Sequence, residues 1–238
     1  MKKLTQAVFL IAGMAGAVSC KKELIGEGPV STQTRQVSGF TAIDLQMNGN
    51  VYYTNAATWN VQVTAKESIH PILETKVVNN RLVVRYSNGK TYDADASIRI
   101  TISGPAVNRF ELNSSGSIYA TNDIQQPDIT VRSNGSGSIN LNHVETNYFD
   151  AESNVSGRIV ATGGTSIRGK LKTNGSGKID ISPVAAKIVD TRIIGSGDIK
   201  VRVSEQLEAK INGSGSVYFI GYPFVIADIS GTGRLIRL

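Results

Sequence analysis

A glycine that follows serine or threonine recurs at short intervals through the chain, and this repeat limits the possible folds more than any other feature. The glycines are 18 to 21 residues apart, and an apolar residue stands two positions after each. Apolar or small residues also fall at every second position on both sides, which is the alternation of β-strands. Recurrent glycines would destabilise helices, so helical repeats are excluded. The repeated glycines are Gly116, Gly137, Gly157, Gly177, Gly197, Gly215 and Gly233.

A unit of this length cannot bury its own apolar face, so neighbouring units must stack. If they stack in register as parallel coils, equivalent positions lie about 4.8 Å apart and opposite charges should alternate there. Such charges are Asp150, Lys170 and Asp190 in one register and Arg132, Glu152 and Lys172 in another. The repeat therefore predicts an all-β, right-handed parallel β-solenoid (β-helix) with coils of about 18–21 residues.

Each coil is expected to have two kinds of corner. The Asn/Ser-Gly-Ser-Gly segment suits a tight turn, because glycine adopts backbone angles that other residues resist. Asparagines three positions before the glycine could form a partial hydrogen-bonded ladder; they are Asn134, Asn154, Asn174 and Asn212. A second and more variable corner follows around Gly163, Pro183 and Gly221.

The N-terminal part of the predicted domain, which spans residues 37–238, is less regular. Another copy of the repeat surrounds Gly49, but residues 60–109 lack the motif. Alternating patterns predict strands over 61–65, 81–86 and 97–103, and a short helix is expected over 67–76. We expect this segment to cap or extend the N-terminal end of the stack, because terminal units must be shielded.

The first 19 residues have the pattern of a secretory signal peptide. Lys2 and Lys3 precede an apolar run that is too short to remain as a membrane-spanning helix. Ala17-Val18-Ser19-Cys20 resembles a lipobox, although leucine is usual where Ala17 stands. The sequence therefore predicts lipid attachment at Cys20, a tether over residues 20–36 and a membrane as partner. Cys20 is the single cysteine, so no disulfide within the chain is expected.

The charge balance gives no support to nucleic-acid binding. The formal net charge is +6, and removal of residues 1–19 takes away Lys2 and Lys3 and leaves +4. Apart from Lys21-Lys22 the basic residues do not cluster, and an exported protein has little access to nucleic acid.

Serial Gly-Ser-Gly-x-Ile turns, together with residues 38–43 (Ser-Gly-Phe-Thr-Ala-Ile) and 73–77 (Leu-Glu-Thr-Lys-Val), resemble the head GIN domain family. The resemblance covers about residues 26–238. Members of this family are typically lipoproteins of Bacteroidetes and are labelled auto-transporter adhesins. The resemblance implies a β-helical fold, a place in the cell envelope at the outer membrane, and an adhesive role. It implies no catalytic residues.

Catalytic and metal chemistry have few candidate residues. A glycan-active enzyme needs two carboxylates that flank one cleft, and the one visible pair is Asp93 and Asp95. His70 and His143 stand in unrelated contexts and do not predict a metal site. The sequence therefore predicts a protein that is not an enzyme and has no metal or cofactor.

A binding surface is the preferred interpretation, with a glycan or a host or matrix protein as partner. Aromatic side chains on a flat β-face can stack on sugar rings, and the candidates are Tyr218, Tyr222 and Trp59, followed by Tyr52 and Tyr148. The final coil, residues 233–238, has an open edge that could pair with a second copy, which predicts a C-terminal homodimer. The alternatives are a self-associating envelope scaffold and, third, a polysaccharide-active enzyme.

Overall fold

The computed structural model describes residues 26–87, 98–105 and 107–238. This part of the chain is almost entirely β-structure, with one short 3-10 helix at Glu67–Ile72. The strands are β1 Val30–Arg35, β2 Ala42–Leu45, β3 Asn50–Asn55, β4 Asn60–Lys66, β5 Leu73–Val78, β6 Arg81–Tyr86, β7 Arg99–Gly104, β8 Arg109–Leu112, β9 Ser117–Ala120, β10 Ile124–Gln125, β11 Asp128–Ser133, β12 Ser138–Ser153, β13 Arg158–Gly175, β14 Lys178–Gly195, β15 Asp198–Gly213, β16 Ser216–Ile220, β17 Phe224–Gly231 and β18 Arg234–Arg237.

Each regular coil consists of three extended segments. In β12 these are the downstream segment 138–141, the third segment 144–146 and the upstream segment 148–153 of the next coil. The glycine corner, at each repeated Ser/Thr-Gly step, joins an upstream segment to the following downstream segment. Parallel pairing of β11 through β15 stacks equivalent segments of successive coils.

The observed register confirms the predicted parallel solenoid. The apolar residues two positions after each glycine are paired in one continuous column, from Ile118 through Ile139, Ile159, Ile179, Ile199 and Val217 to Leu235. All of them are fully buried except Leu235, which is partly buried. Burial of each such side chain contributes roughly 1.5–3 kcal/mol, so the column is a major part of the core.

The glycine corners are packed backbone on backbone. A Cβ atom on Gly137 would lie 1.8 Å from the carbonyl oxygen of Gly116 in the coil below. The same contact would be 1.9 Å between Gly215 and Gly197. A buried Ser153 lies inside the corner, and its Oγ donates to the carbonyl oxygen of Gly157 at 3.0 Å. Any side chain at these glycines would separate the coils.

The predicted charge column at Arg132, Glu152 and Lys172 forms ion pairs, and the column at Asp150, Lys170 and Asp190 is in register. The asparagine ladder is present with one interruption. Glu152 lies between Lys172 at 3.0 Å and Arg132 at 3.7 Å. In the asparagine ladder each side-chain amide donates to a side-chain oxygen in the coil below, at 2.6–2.7 Å. The donors are Asn174, Asn154, Asn134 and Asn113 in turn, and the last acceptor is the Asp44 carboxylate. Asn212 does not extend this ladder, because the residue beneath it in the stack is Ile194.

The N-terminal region has an unexpected topology. The coil made by β2 and β3 is stacked on one side against β8 and β9. On its other side it pairs with β6 and β7, which follow it in the chain. The chain therefore first forms the coil of β2 and β3. It then forms the coil of β6 and β7 beneath that one, and continues above it with β8 and β9.

Antiparallel strands complete the N-terminal end. β5 pairs with β6, β4 pairs with β7, and β1 pairs with β4, all antiparallel. Two expectations need correction. The helix expected over 67–76 ends at Ile72, because Pro71 and the β-branched residues of β5 favour an extended chain. Residues 30–35, assigned to the tether, form strand β1. None of the helices in the described ranges is long and apolar enough to cross a membrane.

Candidate binding groove

A groove runs along the stack where each third segment meets the upstream segment that follows it. It crosses six coils and has a volume of about 1010 Å³. At a rise of about 4.8 Å per coil, it is roughly 24 Å long. Its lining comes from 125–127, 145–147, 165–167, 185–187, 202–204 and 220–222. Three extended segments give a regular coil three corners, and the groove lies at the corner that follows the third segment. The variable corner expected around Gly163 and Pro183 is a different one, which follows the downstream segment.

Small side chains form the floor of the groove and keep it concave. Thr146, Ser166 and Ala186 occupy the same register in successive coils and are buried. The Thr146 hydroxyl donates to the carbonyl oxygen of Pro127 at 2.9 Å, and the Ser166 hydroxyl to that of Arg168 at 2.7 Å. Because these hydroxyls are already paired with backbone, the floor presents mainly methyl and methylene groups to a ligand.

The two walls carry longer and more polar side chains. One wall has Gln125, Glu145 and Thr165 paired in register on successive coils. The facing wall includes Asn147 and Ile167, and the Ile167 side chain is 48% exposed. The groove therefore combines apolar surface with a regular series of amide, carboxylate and hydroxyl groups.

Charges along the groove are largely balanced. Lys187 Nζ lies 3.8 Å from Glu205 Oε1, and His143 Nε2 lies 3.5 Å from Glu145 Oε1. The Arg202 guanidinium donates from Nε to the carbonyl oxygen of Ser182 at 3.2 Å. The lining has no run of like charges, so its field does not favour a strongly charged ligand.

The three aromatic residues singled out from the sequence lie in separate places. Tyr222 is at the C-terminal end of the groove, is 85% exposed, and has the Arg237 guanidinium 4.5 Å from its ring centre. Tyr218 points from a downstream segment, with Lys200 Nζ 5.7 Å from its ring. Trp59 packs on Phe40 with ring centres 4.1 Å apart. Tyr222 alone among these three lines the groove.

The two further aromatic candidates also stand outside the groove lining. Tyr52 stacks on Tyr119 at 5.0 Å between ring centres, with the Arg99 guanidinium 3.7 Å from the Tyr52 ring. Burial, followed by the nearby Asp150 carboxylate, raises the pKa of Tyr148 above its ordinary value. Its phenol therefore remains a hydrogen-bond donor at neutral pH.

Several sequence candidates belong to other parts of the chain. Cys20, Asp93 and Asp95 lie outside the described residues. His70 is buried, and its Nε2 is 3.2 Å from Ser31 Oγ, so it joins the 3-10 helix to β1. Within residues 26–87, 98–105 and 107–238, no three His, Cys, Asp or Glu side chains gather closely enough to hold a metal ion.

The C-terminal coil exposes apolar side chains that earlier coils bury. Ile229, whose equivalent in the coil below is the buried Ile211, is 43% exposed. Phe224 and Ile226 on the same strand, which stand in register with Gln206 and Glu208 of the coil below, are 70% and 44% exposed. In the part of the chain that the structure describes, β17 pairs only with β15 and β18 only with β16.

Sequence reasoning missed the groove because its walls carry no recurring residue. One signal was present in the floor. Thr146, Ser166 and Ala186 stand nine positions after Gly137, Gly157 and Gly177, and all three are small. The last coils are shorter, so the next floor residue, Val203, is six positions after its glycine, and a search at a fixed spacing does not find it.

The stacked parallel coils define the chain as a β-solenoid protein. The family model described as "Putative auto-transporter adhesin, head GIN domain" matches residues 39–223, so the chain belongs to this family. A comparison with curated proteins finds no match.

Solved structures with the same fold come from species of Bacteroides and Parabacteroides. A crystal structure described as a putative adhesin from Bacteroides fragilis is 22% identical, with a TM-score of 0.83 over 89% of this chain and 98% of that one. A putative adhesin from Parabacteroides merdae is 19% identical, with a TM-score of 0.73 over 90% and 98%. A protein from Parabacteroides distasonis, described as a putative lipid binding protein, is 21% identical, with a TM-score of 0.72 over 90% and 98%. At these identities the likeness concerns the fold.

Proposed function

We propose that this protein is a non-catalytic adhesin of the cell envelope that holds its ligand in the groove. The observation that carries the proposal is the groove itself, which is long, concave and lined by both apolar and polar groups. Such a lining is typical of ligand sites. The family description as an adhesin supports the same interpretation.

The composition of the groove favours binding over catalysis. Glycoside hydrolysis needs two carboxyl groups that flank the scissile bond. Among the lining residues that the structure describes, Glu145 is the one acid. The family description likewise names adhesion and not a reaction.

The proposed location is the outer membrane, where acylated Cys20 anchors the chain and residues 21–29 connect it to β1. In cells that produce the full chain, Cys20→Ala should move the protein from the membrane to the soluble fraction. Protease treatment of intact cells should remove the domain. If the domain resists protease until the cells are opened, it faces the periplasm and the adhesive role is wrong.

The role of the groove can be tested by filling it. Cells that display the Thr165→Trp variant should attach to wells coated with mucin or collagen no better than cells that lack the protein, because the indole would occupy the groove. The matched control is Val155→Trp, at a side chain that is 50% exposed and outside the groove lining. Equal attachment by both variants and the natural protein would remove the groove from the proposal.

A self-associating scaffold is the second candidate, favoured by the exposed apolar side chains and open strand edges of β17 and β18. Exposed edges invite pairing with another chain. Purified protein should elute as a dimer, and Ile229→Lys should convert it to a monomer. Val155→Lys, a comparable change at another exposed apolar residue, should leave the dimer intact. A natural protein that is monomeric in light scattering would rule this candidate out.

A further inference from the structure

The groove has features that identify the chemical class of its ligand. We propose that it binds a linear, uncharged polysaccharide whose chain runs parallel to the solenoid axis. This inference rests on the proposed function, because it names the occupant of the same groove.

The even spacing of polar groups along one wall favours a polymer. Gln125, Glu145 and Thr165 stand in one register, about 4.8 Å apart along the groove, and Ala185 follows them. A ligand that bonds to all three polar side chains must therefore present hydrogen-bonding groups at a regular interval along its length. Sugar chains do this, since each ring repeats the same hydroxyl groups at a spacing close to one coil.

The lining has groups that can contact both the rim and the faces of a sugar ring. Pyranose rings carry hydroxyl groups at the rim and C–H groups on the faces. Side-chain amides such as those of Gln126 and Asn147 can both donate to and accept from hydroxyl groups. Ile167 and the methyl-bearing floor offer apolar contact for the C–H faces.

Tyr222 supplies an aromatic platform at one end of the groove. Its ring is exposed, and the Arg237 guanidinium on the last strand lies 4.5 Å from the ring centre. An exposed aromatic ring at the end of a concave site is suited to stack on a terminal or internal sugar.

Other classes of ligand fit less well. An extended peptide usually binds by adding a strand to a sheet edge, but this groove runs across strands whose backbone groups already pair between coils. A polyanion would need a row of cations. The described part of the lining has two, Arg202 and Lys187, of which Lys187 lies near Glu205, and it also contains Glu145. An acyl chain needs a dry enclosure, and these walls are open and carry amides.

Affinity electrophoresis of the full chain tests the proposal. Native gels would contain dextran, mannan or a mixed-linkage β-glucan as neutral polymers, and polygalacturonate as an acidic one. At least one neutral polymer should retard the natural protein, and polygalacturonate should not. Thr165→Trp should weaken the retarding interaction about tenfold or more, and Tyr222→Ala about three- to tenfold. The controls Val155→Trp and Tyr218→Ala should match the natural protein, and circular dichroism should show that all variants are folded.

The outcomes separate the ligand class from the function. Retardation by polygalacturonate alone, or by none of the polymers, would overturn the polysaccharide proposal. If phospholipid vesicles bind the natural protein and Thr165→Trp abolishes that binding, the groove remains a binding site but its ligand is a lipid. If Thr165→Trp binds a neutral polymer as well as the natural protein does, the groove is not the site, and both this inference and the proposed function of the groove fail.

Discussion

Two of the three corners in each regular coil differ in the side chains that they accept. At the glycine corner, backbone packs directly on backbone, and a Cβ at Gly137 would approach a carbonyl oxygen to 1.8 Å. At the groove corner, the floor is set by small side chains and the walls differ from coil to coil, from Glu145 to Thr165 to Ala185. The glycine corner therefore requires glycine in coil after coil. The groove corner accepts several residue types, except at Gly221, where a Cβ would lie 2.1 Å from the carbonyl oxygen of Val203.

The glycine corner is important for the stability of the fold, and the groove corner is important for binding. At the glycine corner the backbones of successive coils are in direct contact, so a substitution there disturbs the stacking itself. The groove corner contributes less to stacking, so its wall residues can change while the solenoid persists. We therefore expect stability to respond strongly at the first corner and binding to respond at the second.

The largest expected effect is at the glycine corner. Gly137→Ala should lower the free energy of unfolding by about 3 kcal/mol or more, because the new methyl group would collide with backbone that cannot move aside. Gly163→Ala, at the corner that follows a downstream segment, should change it by less than about 0.5 kcal/mol. There the new Cβ would meet only the side chain of His143, at 3.1 Å. Urea unfolding followed by circular dichroism measures both, and equal losses would contradict the distinction between corners.

The asparagine ladder should give the next largest effect. Asn154→Ala removes the bonds to Asn134 at 2.7 Å and from Asn174 at 2.6 Å. Partly exposed bonds of this kind should cost about 1–2 kcal/mol together. Asn212→Ala is the control, because Ile194 interrupts the ladder beneath it, and the expected change is below about 0.5 kcal/mol. Comparable losses in thermal denaturation would mean that the ladder adds nothing to stability.

Two buried serines inside the glycine corners should respond in opposite directions. Ser153→Ala loses the hydroxyl that donates to Gly157 and should destabilise the protein by about 1 kcal/mol. Ser133 is equally buried, and its hydroxyl has no hydrogen-bond partner among the described residues. Ser133→Ala should therefore be neutral or stabilising by about 0.5 kcal/mol. Midpoints of urea unfolding decide the sign, and a loss at Ser133 would indicate a partner such as a buried water.

The smallest effect on stability is expected at the groove wall. Thr165→Trp places a large side chain on an exposed position, so the free energy of unfolding should change by less than about 0.5 kcal/mol. The same variant is expected to abolish ligand binding. A large loss of stability would show that the groove walls support the stack after all, and it would weaken the contrast between the two corners.

The regular part of the fold was predictable because one residue type is obligatory at a fixed spacing. The glycines set the register, and the register then placed the isoleucine column and the Glu152 ion pairs correctly. The head GIN resemblance rested on the same turns and is confirmed by the family match.

The irregular parts lack this repeated glycine, so the sequence does not predict how they pair. Strands β1, β4 and β5 pair antiparallel at the end of the stack, where no neighbouring coil demands the repeat. The groove depends on the bend between two segments, and the residues that line it share size and exposure but not identity. Tyr222 was predicted as a ligand-binding candidate, yet only the structure places it beside a groove.

The placement of β8 on β2 has a consequence for the order in which the protein folds. Most neighbouring strands in the stack come from adjacent coils, but Ile43 pairs with Phe110, 67 residues further along the chain. Closing so long a loop costs more chain entropy than adding the next coil, and non-local contacts of this kind slow folding. We therefore expect the later coils to propagate from a nucleus within β11–β15, with the N-terminal coils docking last. During synthesis the first coils to emerge would then wait, incompletely paired, for residues made much later.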